Sequence, residues 1–461
     1  MPFNSFDDYP MSWRPTLRRA GGPLYLELAE LLEQDIRGGR LLPGTRLPPQ
    51  RELADFLDLN LSTVSRAFKL CAQRGLIAGT VGSGTHVSYD ALASLSPLPR
   101  ADKPALLELG ALLPDNRSFV EVTEVLREIA AEPDCGRLFG YDYEAPSLWQ
   151  REAAARLLER AGCPSSADRL MVSGGAQNAL AAILAGLFSP GDRLGVDPLT
   201  YPGLKSVARM LGIQLVAVRQ ERGVMSAAGI AAACRHDRIK GLYLMPTSQD
   251  PTTRTMSVQE RQELAEAARR HDLLLIEDGI HSLLTPSPLP AIASFAAERT
   301  LYLLSLSNTV SPGLRVSYLV VPERYRPPLE DALSNINLTI SPLLLEMASR
   351  LLASDRALQL LEAHRREAER RNALADHLLA GLTLRGDAQS FYRWLELPKG
   401  WTAERFEKSA ELAGVAVHGA QRFAVGSAPP PAAARLAVCS PPDLKTLEQA
   451  LTLLRQVVEN G

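Results

Sequence analysis

Short apolar runs alternate with helical stretches over the middle of the chain, from residue 169 to residue 307. The runs are RLMVSGG, DRLGVD, QLVAV, GLYLMP, LLLIED and TLYLLSLS. This alternation predicts an α/β fold, in which a mainly parallel sheet is covered by helices on both faces. In such a sheet the functional site lies outside the carboxyl ends of the strands.

A small helical module precedes this region. The stretch 22–39 has leucines on one helical face and ends at two glycines. The stretch 49–76 predicts two short helices, the second capped by Asn60 or Ser62. Alternating residues around the sequence GSG at 82–84 predict a hairpin. A helix, a helix-turn-helix and a hairpin wing together make a winged helix-turn-helix.

The second helix of the pair carries short hydrogen-bonding side chains and cations near its start. A small helical module need not bind DNA, but these side chains suit entry into a groove with flanking phosphate contacts. We therefore predict a double-stranded DNA operator as a partner. The predicted DNA-binding residues are Arg51, Ser62, Thr63, Ser65, Arg66, Lys69, Gly84 and His86.

The chain is long enough for two or three domains, because one hydrophobic core rarely serves 461 residues. Prolines and small residues after the hairpin indicate a linker. Towards the C-terminus the pattern changes to long helices, followed by a shorter α+β segment that ends in a helix. The predicted boundaries are 15–88 for the winged helix-turn-helix, 89–106 for the linker and 107–461 for the second domain, with subdomains at about 140–322 and 323–461.

The composition excludes several classes of protein. Fifty basic and 52 acidic side chains give a net charge of −2, so any nucleic-acid surface must be local. The five cysteines are scattered, which indicates a reducing compartment and argues against a disulfide framework or a zinc site. The N-terminus lacks a secretory pattern, and the apolar stretch at 179–188 is too short to span a bilayer. We expect a cytoplasmic protein with no membrane partner.

Polar residues follow several of the predicted strands. The sequence SGGAQNAL opens a helix whose free N–H groups can hold an anion. Tyr201 lies on a rigid turn, where its ring can stack on a flat ligand or merely pack. Glu277 and Asp278 end one strand, and hydroxyls with Arg315 surround the turn after another, as suits a phosphate.

Motifs in both halves of the chain resemble one family. LPPQRELADFLDLNLSTVSRAFKLCAQRGLI resembles a GntR-type winged helix, and SGGAQNAL, IED, SLSNTVSPGLR and ARLAV resemble a fold-type I, aspartate aminotransferase-like domain. In this order the motifs resemble those of the MocR-type transcription regulators over nearly the whole chain. The resemblance implies a seven-stranded, mainly parallel sheet with a smaller C-terminal α+β domain. It also implies a homodimer and binding of pyridoxal 5′-phosphate (PLP).

By this resemblance, several residues match positions that hold the cofactor. The positions that hold its phosphate are Gly175, Ala176, Ser305, Ser307 and Arg315. Tyr201 matches the aromatic residue that stacks on the ring, and Asp278 matches the carboxylate that pairs with the pyridine nitrogen. Arg435 matches the arginine that holds a substrate α-carboxylate, which here would be an effector carboxylate.

Three further cofactor-lining positions depart from the family pattern, around the phenolic oxygen and aldehyde carbon of PLP. Asn308 replaces the lysine that forms the Schiff base, and a carboxamide cannot do so. Asp250 replaces an asparagine and puts a carboxylate beside what would be a phenolate. His281 replaces a tyrosine and is shorter and titratable. Of the other lysines, only Lys205 comes from a segment that borders the site, one helical turn after Tyr201.

The sequence therefore predicts a DNA-binding regulator and not an enzyme, with neither a metal nor a covalently bound cofactor. Its aminotransferase-like domain would serve for dimerisation and for sensing a small-molecule effector. Non-covalent PLP or a related phosphorylated ligand stays open, as does a scaffold whose retained charged residues satisfy only internal hydrogen bonds. The alternative function is a PLP-dependent aminotransferase with an appended DNA-binding module.

Overall fold

The computed structural model describes residues 11–17, 22–80, 84–89, 91, 106–113, 118–141, 146–285 and 287–460. The helices and strands in these ranges form a small N-terminal module and a much larger α/β part. Most of the predicted linker and residues 82 and 83 of the predicted hairpin turn lie outside the described residues.

The N-terminal module consists of three helices and a two-stranded hairpin. Its elements are α1 (Leu24–Arg37), α2 (Gln50–Leu57), α3 (Leu61–Gln73), β1 (Ile77–Thr80) and β2 (Gly84–Val87). The apolar helix faces meet in one core that includes Leu32, Val64 and Phe68. Asp58 ends α2 in a left-handed conformation with φ of +52°, and α3 begins after Asn60, as predicted, although the Asn60 side chain makes no capping hydrogen bond. The predicted winged helix-turn-helix is confirmed.

The second part begins with elements that build the central sheet and cover its faces. They are β3 (Leu107–Glu108), α4 (Ser118–Ala130), α5 (Leu148–Arg160), β4 (Leu170–Ser173), α6 (Ala176–Leu187), β5 (Arg193–Val196), α7 (Pro202–Met210), β6 (Gln214–Ala217), β7 (Gln220–Glu221), β8 (Val224–Met225), α8 (Ala227–His236), β9 (Gly241–Leu244), α9 (Val258–Arg270), β10 (Leu274–Asp278), β11 (Thr300–Ser305) and β12 (Ser317–Val320). Within the described ranges the central sheet has seven strands, in the order β4-β12-β11-β10-β9-β5-β6.

The central sheet is mainly parallel, as predicted, with one exception. Strand β10 pairs in parallel with β9 and β11, whereas β12 runs antiparallel to both β11 and β4. The exception follows from the connection between β11 and β12, because a parallel pair needs a crossover of a dozen or more residues, usually a helix. The short connection at 306–316 holds only turns and a 3-10 helix (Pro312–Leu314).

Both faces of the central sheet are covered, which explains why its inner strands are apolar along most of their length. Along β11, Leu301 and Leu303 belong to the core on one face, while Tyr302 and Leu304 belong to the core on the other. Successive side chains of a strand point to opposite faces, so a sheet covered on both sides selects apolar residues throughout.

The C-terminal elements form a second, smaller sheet with helices around it. They are α10 (Arg326–Asn337), α11 (Pro342–Ala353), α12 (Arg356–Leu378), β13 (Thr383–Arg385), β14 (Arg393–Glu396), α13 (Ala403–Leu412), β15 (Val415–Ala416), β16 (His418–Gly419), β17 (Ala433–Leu436) and α14 (Leu444–Glu459). The smaller sheet has the order β13-β14-β17-β16. Strand β3 pairs in parallel with β15, so the segment at 107–113 packs with the C-terminal elements. This pairing brings Gly110 beside Arg435 of β17.

The described residues contain no single helix that is both long and apolar enough to cross a bilayer. The segments Glu323–Asn337 and Pro342–Ala353 reach that length only together, and they are bent by 119° at the break between them. Among all the residues that the structure describes, no three His, Cys, Asp or Glu side chains are grouped so that they could hold a metal ion.

Candidate functional site

The outward face of α3 carries the residues predicted to read DNA. Ser62, Arg66 and Lys69 are exposed there. The Arg66 guanidinium lies 4.2 Å from the centre of the Tyr25 ring, a cation–π contact with α1. Ser65 is half-buried and donates a hydrogen bond to Gln50 Oε1 at 2.7 Å, which ties α3 to the start of α2.

The remaining predicted DNA-binding residues border this face or lie on the hairpin. Arg51 is exposed at the start of α2, Thr63 is half-buried, Gly84 is exposed and His86 is half-buried. Arg46 was missed by the sequence analysis. It is exposed, pairs with His86 through a β-bridge, and has its Nε 3.1 Å from where a Cβ on Gly84 would lie. No local signal marked Arg46, because only the tertiary pairing puts it on the wing.

The first turn of α6 and the loop after β11 form one end of the second site. Gly175 precedes α6 with φ of +95°, and a Cβ there would lie 2.3 Å from Arg315 Nη2. The absence of a side chain at Gly175 therefore makes room for the guanidinium. Arg315 donates a hydrogen bond to the Gly174 carbonyl at 3.1 Å. Ala176 is the first residue of α6, so a cation and a helix N-terminus meet where an anion would be held.

The hydroxyls of the same loop are connected to one another. The Ser305 hydroxyl donates to Ser307 Oγ at 3.1 Å and accepts from the Ser307 N–H at 3.2 Å. Asn308 follows directly, is half-buried, and lines a cavity of about 30 Å³ together with Phe391 and Cys439. This volume has room for about one water molecule.

Asp278 lies at the end of the central strand β10 and is buried. Its carboxylate accepts hydrogen bonds from the Tyr243 hydroxyl at 2.8 Å and from the Ile280 N–H at 3.1 Å. Burial raises the pKa of Asp278 to about 6, and the nearby Asp250 charge adds to this, while the two donors oppose it. The carboxylate is therefore charged at neutral pH, and it could pair with a protonated ring nitrogen. Tyr243 was not foreseen, because its strand reads as uniformly apolar.

Glu277, the other acidic residue at this strand end, does not face the site. It is buried and accepts hydrogen bonds from the Ile292 and Ala293 N–H groups at 2.9 and 2.8 Å. Burial raises its pKa to about 7. Glu277 therefore holds a neighbouring loop, and only Asp278 is available to a ligand.

Tyr201 lies beside Asp278, half-buried, at the start of α7. Its hydroxyl donates to Gln177 Oε1 at 3.3 Å, and Gly203 leaves room for the ring, since a Cβ there would be 2.3 Å from it. Burial raises the pKa of Tyr201 to about 12, with the charge of Asp278 adding to the shift. The Tyr201 hydroxyl is therefore neutral at physiological pH.

Asp250 and Arg435 form a buried ion pair, with Asp250 Oδ1 2.7 Å from Arg435 Nη1. His281 lies nearby and is buried; its Nδ1 donates to the Ser248 carbonyl at 3.0 Å, and the Tyr392 hydroxyl donates to the same oxygen at 2.5 Å. Burial lowers the pKa of His281 to about 4, so its imidazole is neutral at physiological pH. Tyr392 was missed by the sequence analysis, because it lies directly before β14, 111 residues after His281.

The chain matches two known families. The family of bacterial regulatory proteins called gntR matches residues 24–87, and aminotransferase class I and II matches residues 106–453. The uncharacterized HTH-type transcriptional regulator YdeF of Bacillus subtilis is 46% identical over 460 residues, which cover 100% of both chains. The probable rhizopine catabolism regulatory protein MocR of Rhizobium meliloti is 26% identical over 345 residues, 69% of each chain.

A solved structure supports the fold of the second part independently. The crystal structure of an archaeal alanine:glyoxylate aminotransferase superposes with a TM-score of 0.70 at 20% identity, over 77% of this chain and 91% of that chain. At this identity the likeness shows the fold alone. The two family matches and the similarity to YdeF over the whole chain show that the chain belongs to the GntR family and is a transcription regulator of MocR-type architecture.

Proposed function

We propose that this DNA-binding regulator uses its aminotransferase-like domain as a dimeric sensor, which binds a phosphorylated effector without a covalent bond. The observation that carries the proposal is the loop after β11, where Asn308 follows two connected serines. The anion-binding groups are retained there, and the residue that would have to supply an amine is a carboxamide. The domain would then report ligand binding to the DNA-binding module and carry out no transamination.

The anion end of the site supports the proposal because its parts converge. Arg315, the first turn of α6 and the two serines supply a charge and several N–H and O–H groups. A phosphate would be bound by the same combination of helix N-terminus and guanidinium that binds phosphates elsewhere. At the other end, Asp278 would pair with a ring nitrogen and Tyr201 would cover the ring. These residues fit the non-covalent half of a PLP site.

Lys205 is the lysine that could rescue covalent chemistry, and its surroundings argue against that role. It is buried on α7, and its Nζ donates to the carbonyls of Arg422 at 3.0 Å and Ala424 at 2.5 Å. An ammonium held by two carbonyls stays charged and is not a nucleophile. Its structural role is to tie α7 to the C-terminal part.

Adduct formation tests the proposal. The purified protein is mixed with PLP, reduced with borohydride and weighed by intact-mass spectrometry. We expect no adduct on the wild type and an adduct on Asn308→Lys, which serves as the positive control. Isothermal titration with PLP should still detect reversible binding to the wild type. A reducible adduct on the wild type, mapped to Lys205 or any other lysine, would overturn the proposal.

Dimerisation is supported by an apolar surface near the start of the second part. Phe139 and Tyr141 are 76% and 69% exposed. Other large apolar residues exposed on α4 and at the start of α5 are Phe119, Val120, Leu126, Leu148 and Trp149. The inner faces of these helices pack on one core. The exposed apolar residues therefore lie on elements that share a core, and exposed apolar surface of this extent marks interfaces between proteins. Winged helices usually read paired half-sites, which a two-fold dimer matches.

Light scattering tests this surface. The double variant Phe139→Ser/Tyr141→Ser should shift the protein from dimer towards monomer. Leu412→Ser is the matched control, because Leu412 is 82% exposed but lies on α13. Equal dimer stability in all three proteins would refute the assignment of the dimer surface.

DNA binding is implied by the GntR domain, and we propose that α3 and the wing make the contacts. Arg66→Ala should weaken binding to duplex DNA and reduce its salt dependence, if the guanidinium leaves Tyr25 to meet a phosphate. An unchanged dependence of the DNA affinity on salt would show that Arg66 contacts only Tyr25 of α1 and no phosphate. A regulator of chromosomal DNA acts in the cytoplasm, and we propose that location.

A further inference from the structure

The guanidinium of Arg435 is already surrounded by groups of this chain. The side chains of Arg435 and Asp250 are only 8% and 5% exposed, and Arg435 Nη1 lies 2.7 Å from Asp250 Oδ1. Arg435 Nη2 donates to the Gly110 carbonyl at 2.7 Å and lies 3.3 Å from His418 Nδ1. Burial and the Arg435 charge keep the pKa of His418 well below its usual value, so this imidazole accepts the hydrogen bond as a neutral base.

A ligand carboxylate prefers to bind a guanidinium through two parallel N–H donors. Both terminal nitrogens of Arg435 already have an acceptor. Its Nε is buried without an acceptor among the described residues. The Nε–H could join a bidentate contact only together with Nη2, which already donates to Gly110 and lies against His418. A carboxylate that binds both terminal nitrogens would have to displace Asp250 from the ion pair.

Displacement would leave Asp250 buried without a cation. Neither of two nearby side chains could replace Arg435 as the partner of Asp250, because His281 is neutral and Asp278 carries the same charge as Asp250. Asp278 lies close enough for the Asp250 charge to act on it. Leaving one member of a buried ion pair without its partner is strongly unfavourable. Asp250 pairs with Arg435, whereas Asp278 accepts only from the neutral Tyr243 hydroxyl and the Ile280 N–H. These three charged groups together therefore carry a net negative charge.

We infer that Asp250 is an internal ligand of Arg435 and determines specificity: it closes the subsite to carboxylates and favours a phosphorylated ligand that carries a cationic amine at this end. The inference rests on the proposed function, since it concerns the effector of the same site. It also reassigns Arg435, from a residue that would receive an effector carboxylate to one that is held by the chain itself. Amino acids are then excluded as effectors, while an amine-bearing phosphorylated pyridine is accepted.

A matched pair of probes isolates the carboxylate. N-(5′-phosphopyridoxyl)-L-alanine and N-(5′-phosphopyridoxyl)ethylamine share the ring, the phosphate and the secondary amine, and they differ only by one carboxylate. Isothermal titration near neutral pH would measure both dissociation constants for the full-length protein. We expect the wild type to prefer the ethylamine compound by about 100-fold, the scale of leaving one buried charge unpaired.

Substitutions at position 250 should remove this preference. Asp250→Asn keeps the size of the side chain and can still accept from Arg435, while Asp250→Ala removes the acceptor of Arg435 Nη1. In both variants the alanine compound should gain at least tenfold relative to the ethylamine compound. Asp376→Asn is the matched control, because Asp376 pairs at 2.7 Å with Arg393, whose other hydrogen bonds go to Asn372, Leu384 and Arg385.

The possible outcomes separate this inference from the proposed function. If the wild type binds both probes equally, or prefers the alanine compound, the role assigned to Asp250 is refuted and the effector site stands. If the preference persists in both variants, Asp250 is likewise refuted as its cause. If neither probe binds the wild type or the variants while circular dichroism shows them folded, the effector-binding function fails, and this inference fails with it.

Discussion

Replacing Asp278 by asparagine should change how stability depends on pH. Burial raises the pKa of Asp278 from 3.8 to about 6 in the folded protein. Between these two values the folded chain keeps a proton that the unfolded chain has lost, so the stability falls as the pH rises through this window. Above about pH 6 the full cost of the buried charge is present. A shift of about two units corresponds to about 3 kcal/mol.

Asparagine removes this charge but must re-form two hydrogen bonds. Its oxygen can accept from the Ile280 N–H, and its amide can donate to the Tyr243 hydroxyl, which turns from donor to acceptor. We allow about 1 kcal/mol for that rearrangement. Asp278→Asn should therefore be about 2 kcal/mol more stable than the wild type near pH 8 and about 1 kcal/mol less stable near pH 3, below the pKa of the unfolded carboxyl.

Urea unfolding followed by tryptophan fluorescence measures this difference, because Trp149, Trp394 and Trp401 all lie in the second part of the chain. Asp197→Asn is the matched control: Asp197 is held by Gln220, and burial raises its pKa to about 6 as well. Both variants should show the same pH signature, but only Asp278→Asn should weaken the binding of a pyridine ligand. A stability difference that is the same at both pH values would refute the reasoning.

Three further predictions concern other residues of the two sites. Burial lowers the pKa of His281 to about 4. The folded protein is therefore destabilised as the pH falls from about 6.5 towards 4, because the unfolded chain takes up a proton that the folded chain does not. His281→Asn should remove this loss of stability in the same urea titration. Gly175→Ala should weaken the binding of phosphorylated ligands at least tenfold in isothermal titration, because the new methyl would meet Arg315. Gly191→Ala is the control: Gly191 has a similar φ of +92° but open space around it, so its substitution should leave the affinity unchanged. Arg46→Ala should lower duplex-DNA affinity and reduce the salt slope by about one, as measured by fluorescence anisotropy; an unchanged slope would remove Arg46 from the DNA contacts.

The architecture was predictable from local patterns. A helix with one buried face has apolar residues at every third or fourth position, as in the N-terminal module. A strand with both faces buried is apolar along most of its length, as in the central sheet. The sequence could also place Asp278 and the serines of the loop after β11 at one sheet edge, since parallel strands bring their carboxyl ends together. That Asn308 cannot form an imine follows from its functional group alone.

The partners of these side chains could not be predicted, because they come from distant segments. Asp250 was expected to face a cofactor oxygen and Arg435 an effector, but nothing in either local sequence indicates that the two lie 2.7 Å apart. Tyr243 lies in an apolar strand, Tyr392 lies directly before β14, and Arg46 lies before α2; each meets its partner only in the tertiary structure. The sequence by itself determined that a winged helix-turn-helix precedes an aminotransferase-like part and that a carboxamide occupies position 308. Only the tertiary structure decided which charges meet, because an ion pair depends on distances between segments that no local pattern encodes.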